Sequence, residues 1–355
     1  MMGATPIVTT IRAVDLFCGV GGLTHGLSRG GVEVAAGYDL DPACKYAFEV
    51  NNKATFVEKD VGKLTASEIT DRLGANAITL VAGCAPCQPF STYRRTGRAE
   101  GSKADWSLLA HFGRLVQDVQ PDLVTMENVP ALQNHPVFTD FVQALEGYSA
   151  TYRIVQCAMI GVPQTRKRLV LIASKLGTTP PTLDWPDEGK ITVRQAIASL
   201  PAVGAGEGSD NDPLHLACRL SGVNLRRIRA SRPGGTWRDW PSDLRAPCHR
   251  KATGDTFPAV YGRMDWDEPA PTITTQCFGY GNGRFGHPEQ DRAITLREAA
   301  ILQTFPNNYR FVKNGERVTF ARMGRLIGNA VPVRLGEKIA QTFRTHVDEV
   351  LCGRN

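Results

Sequence analysis

Asp15-Leu16-Phe17-Cys18-Gly19-Val20-Gly21-Gly22 is the stretch that decides the fold. The apolar run Ala13–Phe17 leads into it and reads as a buried strand, after which the glycines make a tight turn into a helix. Such a turn lets a ligand approach the backbone closely and sets helix N–H groups beside it. The spacing is not the full dinucleotide fingerprint, and no Gly-Lys-Ser/Thr follows to make a phosphate loop. A tight turn without a ligand is the plain alternative.

Working outward, Val32–Tyr38, Ile78–Ala82 and Leu123–Met126 also read as buried strands. Between them Pro42–Asn51 and Trp106–Val119 have helical spacing, the latter through Leu108, Leu109, Phe112, Leu115 and Val116. This alternation predicts an α/β, Rossmann-like fold, a mostly parallel sheet with helices on both faces. Thr151–Met159 and Leu169–Ala173 add two more strands. After Ser174 the texture changes. From Asp184 to Arg292 the chain is rich in Pro, Gly, Arg and Trp, with turn signals such as Arg232-Pro233-Gly234-Gly235, and reads as a second, loop-rich module. Order returns with a capping box at Thr295-Leu296-Arg297-Glu298, opening a helix through Gln303, and with an amphipathic helix over Pro332–Leu351. The expected domains are 1–185 plus 322–355, catalytic and cofactor-binding, and 186–321, recognising the target.

The 355 residues suffice for a large core, and 35 glycines with 22 prolines point to many loops around a regular scaffold. A formal charge of +6 is compatible with a polyanionic partner and says no more. No export signal and no apolar run long enough for a membrane span is visible, so the nine cysteines read as reduced thiols in a cytoplasm.

The chemistry-bearing residues fall in successive turns after strands, where parallel sheets bind ligands. Asp39 can accept both ribose hydroxyls of a nucleoside, with Asp41 as its rival, and Asp60 can take an adenine amino group. The fourth turn carries Gly83-Cys84-Ala85-Pro86-Cys87-Gln88-Pro89-Phe90-Ser91. A zinc site needs four ligands, and neither a second Cys-x-x-Cys nor a suitably spaced His pair is present. A redox dithiol fits poorly in so long a chain, which leaves Cys87 as a nucleophilic thiolate beside the cofactor cleft. Thr92–Asp105 reads as a lid. Glu127 follows the fifth strand, and Gln164-Thr165-Arg166-Lys167-Arg168 sets Arg166 and Arg168 on one face of an extended segment.

Together, Pro86-Cys87-Gln88, Glu127-Asn128-Val129, Gln164-x-Arg166-x-Arg168, Arg297-Glu298 with Leu302-Gln303-Thr304-Phe305-Pro306, and Gly328-Asn329-Ala330-Val331-Pro332 resemble the ordered motifs of the DNA cytosine-5 methyltransferases of bacterial restriction-modification type. The likeness runs from Asp15 to Pro332, except for about 184–291, where that family keeps its variable target-recognition region.

The resemblance implies methyl transfer from S-adenosylmethionine to carbon 5 of a cytosine flipped out of double-stranded DNA. It makes Cys87 the nucleophile at carbon 6, Glu127 the partner of ring nitrogen 3 and the amino group, and Arg168 the donor to the ring carbonyl, supported by Arg166. For the cofactor it implies Phe17, Gly19, Gly21 and Gly22 at the methionine portion, Asp39 at the ribose, and Leu40, Asp60 and Val61 at the adenine. Pro86 and Leu108 then line the pocket, with Asn329 and Val331 returning to close it. Asp39 stands where a Glu is more usual, and Leu40 where a bulkier residue is. Arg226, Arg227, Arg229, Arg232, Arg238, Arg250, Arg263 and Arg284 suit phosphates and guanine edges, only two or three of them reading bases. Trp237, Trp240 and Trp266 are expected in the small-domain core. The expected state is a cytoplasmic, nucleoid-associated monomer, with a cognate restriction endonuclease as a further partner, no membrane and no metal. An RNA (tRNA-type) methyltransferase and a catalytically silent DNA-binding regulator are the alternatives.

Overall fold

A computed structural model describes residues 9–86, 103–251, 254 and 257–353. The chain divides into two compact units, Met1–Val155 with Lys167–Trp185 and Val333–Asn355, and Gln156–Arg166 with Pro186–Pro332. Compared with the expected bounds, residues 156–166 and 322–332 join the second unit. Their hydrogen bonds run there: Gln164 donates to the Leu302 carbonyl (2.8 Å) and to Gln303 (2.7 Å).

The first unit is built on a sheet of β1 (Ile11–Leu16), β2 (Glu33–Asp39), β3 (Thr55–Glu58), β4 (Ile78–Gly83), β5 (Leu123–Asn128), β6 (Ser149–Gln156) and β7 (Lys167–Ser174). Its order is β3-β2-β1-β4-β5-β7-β6. Pairs among the first five strands are parallel, whereas β7 runs antiparallel to β5, with Glu127 opposite Val170 and Asn128 opposite Leu169. The strand sequence reverses direction between β1 and β4, the switch point where doubly wound sheets open a crevice at their carboxyl ends.

Alternation along β1 sends Val14 and Leu16 into a core with Phe112, Leu115 and Phe141. Ala13 and Asp15 turn to the other face, where the first helix α1 (Gly22–Arg29) lies, and Thr24 of that helix donates its hydroxyl to Asp15 Oδ2 at 2.6 Å. On the α1 face α2 (Lys45–Asn51) also lies, with Phe48 against Gly37, the register partner of Asp15. The Val14 face carries α3 (Ala66–Leu73), α4 (Lys103–Val119) and α5 (Pro136–Gln143), of which α4 packs on both α3 and α5.

The second unit has little regular structure: α6 (Val193–Ile197), a two-stranded ribbon β8 (Gly208–Ser209) and β9 (Asp212–Leu216), α7 (Gly222–Arg229), α8 (Leu296–Leu302) and α9 (Phe320–Asn329). Buried polar groups hold it together. Arg292 grips Glu298 with two bonds of 2.7 Å, and the same carboxylate closes the capping box with Thr295 that opens α8. Burial alone would raise Glu298, but the Arg292 guanidinium holds it below its ordinary value. Arg297 pairs with both oxygens of Asp212, and Gln303 donates to the Ile327 (2.9 Å) and Ala330 (3.1 Å) carbonyls. Trp237 and Trp240 are buried with Ile228, Leu244 and Tyr280, as expected of core; Trp266 is half-buried, with the Arg194 guanidinium over its ring.

In the first unit α1 packs against the closing helix α10 (Val333–Cys352) at a contact that only glycine permits. A Cβ on Gly26 would sit 2.2 Å from the Val333 carbonyl oxygen, which is backbone and has no rotamer to yield. Gly26→Ala is therefore expected to destabilise the protein by about 3 kcal/mol, as overpacking of a tight contact does, and to lower the melting temperature by several degrees. Calorimetry of the variant, with Gly222→Ala (where a Cβ meets open space) as control, checks this.

Candidate active site

The ends of β1, β2 and β3 bring one group of expected residues together. Phe17 leaves β1 with φ 59°, a left-handed conformation costly for an aromatic residue, and packs half-buried on the core. Gly19 follows at φ 52°, and the space its Cβ would occupy is open to 4 Å. Its N–H donates to Asp39 Oδ2 (2.9 Å), and the N–H of Asp41 donates to Asp39 Oδ1 (2.9 Å). The carboxylate is thus clamped in a fixed orientation with lone pairs left over. Burial raises the Asp39 pKa, against the pull of these N–H bonds. Asp41, the rival, instead caps the following turn by accepting from the N–H of Ala43 (3.0 Å). Leu40 is 66 % exposed beside Asp39. Asp60 accepts from the Gly62 N–H (2.9 Å) and caps the turn at buried Val61. Leu108 of α4 is half-buried and Pro86 exposed.

Asp15 belongs to this region and was not among the expected site residues. Its side chain is buried, Oδ2 takes the Thr24 hydroxyl, and Oδ1 has no hydrogen-bond partner among the described residues. Burial pushes its pKa up to about 7, outweighing the Thr24 bonds. The sequence signal was visible in retrospect: a carboxylate inside an otherwise apolar strand.

A second group forms where β5 ends and β7 begins. Glu127 is 2 % exposed, and Arg168 Nε lies 2.8 Å from its Oε1. Arg168 Nη1 also donates to the Lys167 carbonyl, 2.7 Å away. Asn128 donates to the Ala85 carbonyl (2.9 Å), tying β5 to the segment that leads toward position 87. Cys84 Sγ, 2.8 Å from Glu127 Oε2, is a further contact that the sequence reading missed. Cys87 and most of Thr92–Asp105 lie outside the described residues.

Arg166 was expected to share a face with Arg168. It precedes β7 and belongs to the second unit, where its guanidinium donates to the Ile273 (3.1 Å) and Ala330 (3.4 Å) carbonyls. The two-residue alternation holds inside a strand and stops at its end. Asn329, at the end of α9, is exposed, and Val331 is buried.

Most of the second-unit arginines hold the chain itself. Buried Arg263 donates to the Ile228, Ser231, His287 and Gln290 carbonyls and pairs with Asp291. Arg227 donates to the Leu244 carbonyl, Arg250 to the Ser242 carbonyl and Arg284 to the Gly235 carbonyl, while Arg229 and Arg232 pair with Asp291 and Asp239. Arg238 covers the Trp237 ring. The side chain of Arg226, exposed on α7, engages no partner among the described residues.

A switch-point sheet with an antiparallel seventh strand, a glycine turn after β1 and acids after β2 and β3 defines an α/β protein built to hold a nucleoside cofactor. The model of the C-5 cytosine-specific DNA methylases matches residues 11–344. The Type II methylase M.HgiDII of Herpetosiphon aurantiacus is 50 % identical over 343 residues, covering 94 % of this chain and 95 % of the relative. The Type II methyltransferase M1.HphI of Haemophilus parahaemolyticus is 29 % identical over 341 residues, covering 94 % and 86 %. A solved Escherichia coli protein encoded within a prophage has the same fold, with TM-score 0.71 and 23 % identity over 96 % of this chain and all of that one. The chain belongs to the C-5 cytosine-specific DNA methylase family. It is a DNA cytosine-5 methyltransferase whose methyl donor is S-adenosylmethionine.

Open space at Gly19, the partnerless Oδ1 of Asp15, the clamped Asp39 and the exposed Leu40 fit that cofactor: room at the turn, acids for a cation and for hydroxyls, an apolar face for a base. Among the described residues no group of three or more His, Cys, Asp and Glu is arranged to hold a metal ion, and no helix is long and apolar enough to cross a membrane.

The Asp15 pKa generates a stability prediction. With a folded value of about 7 against an ordinary 3.8, the folded state holds a proton that the unfolded chain has released over that interval. Stability therefore falls as pH rises from about 4 to about 7, by on the order of 4 kcal/mol at the upper end. Asp15→Asn removes the charge, so its melting temperature should gain on the wild type between pH 5 and pH 8. An equal difference at both pH values would show that Asp15 has no such linkage.

Proposed function

We propose that the enzyme methylates a cytosine within a specific double-stranded DNA sequence, working on a base turned out of the helix and held by a transient bond to Cys87. The observation that carries this reading is the buried Glu127–Arg168 pair, an acceptor beside a cation at the sheet edge.

Carbon 5 of cytosine is a weak nucleophile, so the ring must be activated before it can accept a methyl group. The Cys87 thiolate adds to carbon 6, which places electron density on carbon 5, ring nitrogen 3 and the carbonyl oxygen. Arg168 stabilises that charge at the carbonyl oxygen, and Glu127 holds or supplies the proton at nitrogen 3 while accepting from the amino group. S-adenosylmethionine supplies an electrophilic methyl on a sulfonium. Loss of the carbon 5 proton to a base and departure of the Cys87 sulfur then restore the aromatic ring.

In the cofactor site Asp39 would take the ribose hydroxyls, Leu40 and Val61 the adenine faces and Asp60 its amino group. Phe17, Gly19, Gly21 and Gly22 would surround the methionine portion, Pro86 and Leu108 line the pocket, and Asn329 and Val331 complete it. Arg166 acts as a support, its two terminal nitrogens donating to carbonyls. The second unit recognises the target, and Arg226 is the arginine most available to a phosphate. The similarity to Type II methylases supports a place in a restriction-modification system with a partner endonuclease. The protein acts as a monomer on the DNA of the nucleoid in the cytoplasm.

Wild-type protein should move label from methyl-labelled cofactor into DNA and not into competing RNA, and Cys87→Ser should move none. Equal labelling by Cys87→Ser defeats the covalent reading. Duplexes carrying 5-fluorocytosine should yield a denaturation-stable complex, because fluorine cannot leave as a proton does, and bisulfite sequencing of DNA from expressing cells should reveal one recurrent sequence.

A further inference from the structure

Glu127 has a second neighbour that the chemistry above does not use. Beyond β4, the Cys84 N–H donates to the Leu16 carbonyl (3.2 Å), and the next residue, Ala85, is held through its carbonyl by Asn128 (2.9 Å). Two strand ends thus fix the backbone on either side of the Cys84 side chain. Its Sγ is placed 2.8 Å from Glu127 Oε2, while Arg168 Nε stands 2.8 Å from Oε1. One buried carboxylate therefore has a cation on one oxygen and a thiol on the other.

The two contacts differ in kind. The guanidinium offsets charge at Oε1 through Nε, an ion pair without hydrogen-bond alignment, while its Nη1 is held by the Lys167 carbonyl. The thiol is a weak donor. It satisfies an oxygen whose burial without a donor would be costly, and it yields readily to a stronger N–H. An acceptor meant for an incoming amino group needs a placeholder of this kind: firm enough to hold the rotamer, weak enough to be displaced.

We propose that Cys84 is a positioning residue for methyl transfer, its thiol holding Glu127 Oε2 in the orientation that meets the amino-pyrimidine edge of the substrate and giving way to the substrate amino group. This rests on the reading of Glu127 as the acceptor of the cytosine edge. The exchange is one of hydrogen-bond donors, with no covalent change at Cys84.

The test compares Cys84→Ala and Cys84→Ser in steady-state and single-turnover methylation of duplex DNA by the full-length enzyme. Cys84→Ala should lower kcat and the single-turnover rate by about tenfold, the scale expected when an oriented group loses its hydrogen bond, with KM for DNA and for S-adenosylmethionine within about twofold of wild type. Cys84→Ser, which retains a donor, should recover most of the rate. Unchanged kcat in Cys84→Ala, a loss falling mainly on KM, or no recovery by Ser despite a wild-type melting temperature overturns the proposal. Glu127→Gln tests the underlying reading separately. If it methylates at the wild-type rate, Glu127 is not the edge acceptor, whatever Cys84 does; if it is impaired and Cys84→Ala is not, only the positioning role fails.

Discussion

The buried Glu127–Arg168 pair depends on the direction of one strand. Were β7 parallel to β5, its carboxyl end would lie beside Asn128, and the residues entering it would be at the opposite edge of the sheet. Because it is antiparallel, the residues entering β7 meet those leaving β5. Arg168, the second residue of β7, thereby meets Glu127, the fifth of β5, at 2.8 Å. Burying either charge alone would cost several kcal/mol; together they form a pair held by two ladders of backbone hydrogen bonds. That pair gives the edge its polarity: acceptor and cation at fixed spacing.

The other motif residues work one level further out. Gln164, Gln303, Arg292, Glu298, Arg297 and Asp212 serve to fasten a unit that has few strands and short helices. Where regular ladders are scarce, backbone groups must be satisfied by side chains, and arginine with its five donors satisfies several carbonyls at once. This explains why Arg263 is buried and why most of the basic residues that looked like phosphate contacts are engaged by the chain itself. A basic composition in a loop-rich unit reflects the upkeep of loops as much as affinity for a polyanion.

The same distinction accounts for what could be read from sequence. Buried strands such as β1, β4 and β5 were legible because both faces are covered and the residues run apolar; their observed ends lie within two residues of the expected ones. The Thr295 capping box was legible because its residues are local in sequence. Strand direction leaves no local trace, so the Arg168–Glu127 meeting was accessible only through the family pattern. Arg166 was read as a twin of Arg168 by alternation, yet lies before the strand begins and bonds to carbonyls of Ile273 and Ala330. The contact of Cys84 with Glu127 depends on the register of β4 against β5, with Gly83 opposite Met126, which composition does not encode.

The cofactor end of the sheet shows the complementary strategy. Asp39 is restrained by two N–H groups, Gly19 of the turn after β1 and Asp41 of its own turn, so its orientation does not depend on a bound partner. Asp15 accepts one hydroxyl at Oδ2 and has no hydrogen-bond partner at Oδ1 among the described residues, and burial raises its pKa to about 7. A nearby cation favours the ionised form of such a carboxyl and lowers its pKa. An ionised carboxyl favours a cationic ligand over a neutral one, and a carboxylate already neutralised by an arginine does so less. The edge built around Glu127 has its cation built in. Beside the glycine turn, Asp15 and Asp39 are held by hydroxyl and N–H donors, and neither is neutralised by an ion pair among the described residues.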